Sequence, residues 1–200
     1  MARRAVEHEL SRERIMDAAR HLFVTKGYRS ISMRSIGQHL GYSHGSLYYH
    51  FKEKAELFYA IVLQDFQVVS LLFDQVMNSP PVQDLTQIEL LMLEFIKYGL
   101  DHPHQYEMMF MLRDEEIISY CQREQTKCYD HFSALIQRSL EQEHISSDIC
   151  LSIPLSLFLG MHGFISYYIH NQTSFEQIQS SALSHVKFLS SMVPRQVQSH

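Results

Sequence analysis

Residues 41–51 read GYSHGSLYYHF, a run of glycine, serine, tyrosine and histidine with no carboxylate among them. Hydroxyls, phenols and imidazoles donate hydrogen bonds to phosphate oxygens and base edges, and an acidic side chain here would repel a polyanion. Projected on a helix over 44–51, Leu47 and Phe51 lie one turn apart and face inward, towards Phe23, Ile36 and Leu40. Gly45 and Tyr49 fall on the opposite side, flanked by His44, Ser46 and Tyr48. A glycine within a helix costs about 1 kcal/mol relative to alanine. Close approach of another backbone is a reason to keep one on the outward face. Arg34, Lys52 and Lys54 add positive charge nearby. As a set these residues predict contact with double-stranded DNA. For any one tyrosine alone, half-buried packing is the competing reading. His44 has two readings of equal weight: a base-edge contact whose direction depends on the tautomer, or an exposed ring near phosphate.

The elements that must position this segment are helical, because apolar residues recur with the helical period and no stretch shows sustained strand alternation. Ser11 caps a first helix with the stripe Ile15, Ala18, Ala19, Leu22 and Phe23, stopped by Gly27. Ser32 caps a short second helix, with Met33, Ile36 and Leu40 inward and Gly41 ending it; Ser43 caps the third. Two short helices joined by a tight glycine turn make a helix-turn-helix. Free amides at the starts of helices two, three and four are ready phosphate sites. A fourth helix is expected from Glu53 towards Met77, stopped by Ser79-Pro80-Pro81. Further helices are expected over Asp84–Leu100, after Pro103, over Glu115–Glu143 and Ser147–His170, and from Ser174, boxed by Gln177, to Met192. The expected architecture is all-α: an N-terminal three-helix helix-turn-helix domain over residues 8–54, then a larger helical bundle over 55–193 for dimerisation and ligand binding.

Charge is divided the same way. Residues 1–60 carry ten Lys/Arg and six Asp/Glu, the remainder seven and sixteen, and the chain totals −5. A basic front on an acidic body predicts that only the front meets a polyanion. Cys121, Cys128 and Cys150 form neither a metal-type pair nor an even disulfide set, which suggests reduced thiols in a cytoplasmic protein. The N-terminus runs from basic to charged sequence without the apolar core of a secretory signal. Residues 149–169 are apolar enough to raise a membrane span, but a proline, three serines, a central histidine and no flanking Lys/Arg favour a buried helix. Cys128 and His131 lie one turn apart, and His102 and His104 flank a proline; neither pair reaches the number and spacing of a closed metal site. No carboxylate pair in an apolar setting, nucleophile elbow or phosphate loop marks catalysis, so no catalytic residue, cofactor or metal is assigned.

The run from Ile15 to Val62 resembles the DNA-binding domain of the TetR family of bacterial repressors. The marks are Ala18-Ala19, Leu22-Phe23, Gly27-Tyr28, Ser32-x-x-x-Ile36, Leu40-Gly41, Ser43-x-Gly45-x-Leu47-Tyr48-x-His50-Phe51 and Lys54-x-x-x-Leu57-Phe58. The resemblance implies phosphate contacts for Tyr48, Tyr49, His50 and Lys54. It gives Arg34, His44, Gly45 and Ser46 positions that read bases or pack on them, and Ser43, the cap of the third helix, is expected among the DNA-binding residues. Residues 98–111 and Gly160-Met161-His162-Gly163-Phe164 resemble the C-terminal domain of family members carrying a Trp-His-Gly signature, with Met161 at the tryptophan position. Such bodies enclose a small-molecule pocket that controls the spacing of the heads.

In the body, the helix over 149–169 is apolar on every side and must bury them all, which suggests a two-fold homodimer through the last two helices. The final helix offers Phe175, Ile178, Ala182, Val186 and Leu189, and Gly160 and Gly163 permit close helix contact. A dimer would set two recognition helices about 34 Å apart on a palindromic operator. Met108, Met109 and Met111, with Phe158, Met161 and His162, are the candidate lining of a pocket for a mainly apolar effector. Each methionine taken singly also reads as core filling, and His162 as a hydrogen-bonded core histidine. Arg113 either meets an anionic group or bridges to Glu116. The expected function is a ligand-responsive DNA-binding regulator in the cytoplasm, nucleoid-associated when bound. The alternative is a carrier or enzyme using the apolar body.

Overall fold

The computed structural model describes residues 10–80, 82, 84–142 and 152–193. Among these, every regular element is helical: α1 (Arg12–Lys26), α2 (Met33–Leu40), α3 (His44–Tyr48), α4 (Lys54–Met77), α5 (Gln87–Asp101) and α6 (Pro103–Tyr106). Helix α6 continues into a π-helical turn (Glu107–Met111), followed by α7 (Ile118–Gln142), α8 (Ile153–His170) and α9 (Phe175–Ser191). Residues 8 and 9 of the expected head, Pro81, the Ser147 start and Cys150 lie outside the described residues.

Local hydrogen bonds set the first three helices. Ser11 Oγ accepts from the Arg14 amide at 3.2 Å, Ser32 and Ser35 cap each other reciprocally, and Ser43 Oγ accepts from the Ser46 amide at 3.3 Å. Each bond satisfies an amide that a helix start would leave without a partner. Gly41 adopts φ 77 and ψ 21, the left-handed stop that lets the chain turn into α3. Behind these caps Ile15, Ala19, Phe23, Ile36, Leu47 and Phe51 are buried. The rings of Phe23, Tyr28 and Phe58 meet at centroid distances of 5.3 to 5.8 Å. Each large side chain so buried contributes roughly 2 kcal/mol. Leu40, expected inward, is only half-buried. Helix α3 ends at Tyr48 rather than running to 51, yet Phe51 still reaches the core from the following turn.

Helix α4 packs on α1 in the head and on α5 and α7 in the body. Arg20 of α1 grips the buried Asp65 carboxylate, Nη2 at 2.8 Å and Nε at 3.4 Å. Burial pushes the Asp65 pKa up, and the guanidinium pulls it back. Among the described residues α4 is the helix long and apolar enough to cross a membrane; its packing on both sides and the Arg20–Asp65 pair make it a core helix. Helix α5 starts at Gln87 rather than Asp84, because Asp84 turns to φ 66 and Thr86 with Glu89 forms the capping box.

In the last two helices the buried face is internal. Phe175, Ala182, Val186 and Leu189, expected as the stripe meeting a second subunit, are buried, and α9 packs on α5 and α8 of its own chain. Ile178 is half-buried at a kink with φ −123. The close approach at Gly160 is likewise internal, since a Cβ there would stand 2.8 Å from Leu189; Gly163 has open space. What α8 and α9 leave exposed is a different set: Leu155, Leu159, Tyr167, Phe188 and Met192.

Candidate nucleic-acid interface

The α3 face is built as its sequence suggests, with differences at its edges. A Cβ added to Gly45 would meet nothing closer than Ser43 Oγ at 3.8 Å. Tyr49 is 89% exposed and Tyr48 48%. The exposed His44 ring sits edge-on to Tyr48 at 6.2 Å, and Arg34 is exposed in the first turn of α2. No carboxylate occurs between residues 18 and 52. So the turn and short helix present donors, two aromatic rings and a gap where backbone is bare.

Four expected contact residues are engaged with their own chain. Ser43 Oγ and Ser46 Oγ lie 2.9 Å apart, so the cap and its neighbour share a hydrogen bond. The half-buried His50 packs edge-on against Tyr49 at 5.3 Å. Lys54 Nζ donates to the Tyr28 carbonyl at 3.1 Å and lies 3.8 Å from that ring's centroid, held back from solvent. At the start of α4 the cap, Glu53, makes no side-chain capping bond, and Glu56 accepts from the Lys52 amide at 2.6 Å, which places a carboxylate beside that end. One residue that sequence reasoning passed over belongs here. Arg12 donates to the His50 carbonyl at 2.8 Å and stacks 4.0 Å over Phe51, bracing the α3–α4 turn. Nothing local marks that contact, because its partner lies 38 positions away.

In the body the six expected pocket residues do not line one cavity. Met109 and Met161 are fully buried core. Met108 and Met111 border a space of about 220 Å³ between α1 and the π-turn, with Val24, Glu107 and Leu112. Phe158 and His162 line a separate groove of about 330 Å³ with Phe110, Tyr129, Leu155 and Leu159. Behind His162 lies Tyr106, fully buried, whose hydroxyl is 2.7 Å from His162 Nδ1 with the rings stacked at 5.7 Å. Burial pushes the Tyr106 phenol up and the His162 imidazole down.

Arg113 is exposed, and among the described residues it makes no ion pair with Glu116. The bridge in this region is Arg29 to Asp114 at 2.6 Å, from the turn after α1 to the loop before α7. The Glu116 amide and Arg29 hold the Asp114 carboxyl below its usual range. Cys121 and Cys128 are free and buried, their thiols pushed up by desolvation to about 11 and about 12. Among the described residues no three of His, Cys, Asp and Glu gather as metal ligands.

A family model described as bacterial regulatory proteins, tetR family, matches residues 15–61. The HTH-type transcriptional regulator UidR of Escherichia coli is 44% identical over 59 residues, covering 30% of this chain and 30% of that protein. An HTH-type transcriptional regulator of Staphylococcus aureus is 38% identical over 66 residues, 33% of this chain and 36% of its own. The chain thus matches about a third of the length of these curated relatives. Solved structures extend the likeness in fold alone. The Bacillus subtilis regulator FadR in complex with stearoyl-CoA superposes with a TM-score of 0.75 at 13% identity, covering 92% of this chain and 100% of that one. A transcriptional regulator from Aquifex aeolicus gives 0.70 at 19%, covering 89% and 98%. Over residues 15–61 the chain is similar to the TetR family of bacterial regulatory proteins, and the likeness in sequence is to that N-terminal domain.

Proposed function

We propose that the chain is a dimeric, sequence-specific DNA-binding transcriptional regulator, a repressor released from a palindromic operator by a mainly apolar small molecule. The observation carrying this reading is the outward side of α3, with bare backbone at Gly45, exposed rings at His44, Tyr48 and Tyr49, and no acid nearby. Residues 8–54 act as the head and 55–193 as the ligand-binding and dimerising body. Arg34, His44 and Gly45 read bases, Tyr48 and Tyr49 hold phosphates, and Ser43, Ser46, His50 and Lys54 keep the segment in shape. The dimer forms through the exposed apolar residues of α8 and α9, where Leu155, Leu159 and Tyr167 recur at helical spacing beside Phe188 and Met192. Such a protein works in the cytoplasm, on the nucleoid when bound.

The effector has to favour a head spacing the operator rejects, since a ligand with equal affinity for both geometries shifts nothing. That a protein of like fold holds stearoyl-CoA supports a body able to take apolar ligands. An enzyme reading finds its best feature in Ser70, His131 and Asp74. His131 Nδ1 lies 2.9 Å from Ser70 Oγ and Nε2 lies 2.9 Å from Asp74 Oδ1. The acyl-transfer triad uses these nitrogens the other way round, and Asp74 here is half exposed, so the chain of bonds ties α4 to α7.

The test is selection of bound DNA from a random pool by the full-length protein, followed by titration at increasing salt. A palindromic motif and a steep fall of affinity with salt are expected. Arg34→Ala should blur the selected motif, while Tyr48→Phe should weaken all sequences alike. Random DNA bound as tightly as any selected site sinks the proposal.

A further inference from the structure

The π-turn, α7 and α8 border an open groove of about 330 Å³, a size at the lower end for small-molecule sites. Its walls are the rings of Phe110, Tyr129 and Phe158, with Phe158 5.6 Å from Tyr129 and 6.1 Å from Phe110. Leu155 and Leu159 form its rim, and no Lys, Arg, Asp or Glu lines it. A charged ligand group would find no counter-charge among these residues.

Its polar lining is Gln125, Thr126 and His162; Gln125 Nε2 donates to the Met109 carbonyl at 2.7 Å and Thr126 Oγ1 to the Gln122 carbonyl at 2.9 Å, which leaves His162 as the ring whose proton has to be placed. Tyr106 is fully buried, and among the described residues its hydroxyl has a single partner, His162 Nδ1 at 2.7 Å. A buried hydroxyl donates rather than leave its hydrogen unpaired, so Nδ1 is the acceptor. Burial keeps the phenol protonated and the imidazole neutral. In a neutral ring whose Nδ1 accepts, the hydrogen sits on Nε2. Nε2 has no hydrogen-bond partner among the described residues, and His162 lines the groove.

We propose that this groove binds an uncharged, predominantly apolar small molecule bearing a hydrogen-bond acceptor, such as a carbonyl oxygen, which takes the N–H of His162 Nε2. This deepens the effector half of the reading above and rests on it. It also moves the seat of the ligand from the methionines to a groove walled by aromatic rings, with the His162 N–H as the donor beside the Gln125 amide, and offers free carboxylates no cationic partner there.

Three probes that share a ring system separate the terms: 2-acetylnaphthalene, 2-ethylnaphthalene and 2-naphthoate, titrated calorimetrically into the full-length protein. The ketone should bind about tenfold tighter than the ethyl compound, the worth of one hydrogen bond, and about a hundredfold tighter than the carboxylate. The Tyr106→Phe/His162→Leu double variant removes both partners together, so neither is left unsatisfied. It should bind the ethyl compound as the parent does and lose the preference for the ketone. Tyr106→Phe alone frees Nδ1 to carry the proton, so the ketone preference should shrink and 2-naphthol, a donor, should gain; this variant carries the test if the double one does not fold. Carboxylate binding as tight as the ketone's, a ketone preference surviving both variants, or no saturable binding of any probe overturns the proposal. DNA selection run in parallel keeps the two readings apart. Probe failure with a selected motif intact removes the pocket alone. Probe binding without specific DNA binding removes the regulator and leaves the pocket.

Discussion

The α3 face of the head and the aromatic groove of the body use the same two residue types to opposite ends. In the head, Tyr49 and His44 project outward from a scaffold fixed by serine caps, and no hydrogen bond among the described residues dictates where their protons lie. In the body, Tyr106 and His162 satisfy one another, and burial moves their titrations apart. The first arrangement leaves its donors free to adapt to a partner's shape. The second settles donor and acceptor before a ligand arrives. Exposure, more than residue type, decides which chemistry a phenol and an imidazole perform.

The sharpest way to probe the division is at the methionines. Met109→Ala empties a fully buried position and should cost about 3 kcal/mol in urea unfolding, whereas the half-buried Met111→Ala should cost under about 1 kcal/mol. Equal losses would erase the distinction between core and cavity lining drawn here. A smaller effect is expected at Gly45→Ala. With open space around the new methyl, stability should rise by about 0.5–1 kcal/mol while affinity for a selected DNA site falls about tenfold. Unchanged affinity would show that the bare backbone is not used. The smallest effect is in pH. Burial lowers the His162 pKa below its ordinary 6.5, so below that value the unfolded chain binds the proton more readily than the folded one. The contribution of the neutral ring is therefore complete above 6.5 and is lost as pH falls from there towards the depressed folded value. Melting midpoints from about pH 8 to about pH 5 should drop less in the Tyr106→Phe/His162→Leu variant than in the parent. A parallel drop in both would assign the slope to other groups.

The head was legible because its rules act over three or four residues. Ser11, Ser32 and Ser43 each bond to an amide three positions on, and Gly41 needs only its own backbone angle. What escaped was set by distant partners. Lys54 is drawn to Tyr28, 26 positions back, and Arg12 to His50. At the start of α4, Glu56 folds back to accept from the Lys52 amide, a contact that spacing alone does not announce. In the body the helical period identified apolar stripes without saying what they face. Phe175, Val186 and Leu189 turned inward, and the outward set includes Leu155, Leu159 and Tyr167 instead. Met and aromatic content pointed to a cavity region, but which methionines fill and which line depends on a π-turn that no spacing rule announced.

Helix α4 is 24 residues long, about 36 Å end to end, with Leu57, Phe58, Phe66 and Phe73 spread along it in one continuous core. A rod buried along its length in that core and pinned near its middle at Asp65 offers no joint about which the head can swing freely. Re-aiming the head therefore means tilting the rod itself, as a lever. A tilt of about 5° at one end carries the other through ~3 Å, close to the ~3.4 Å rise of a single base pair.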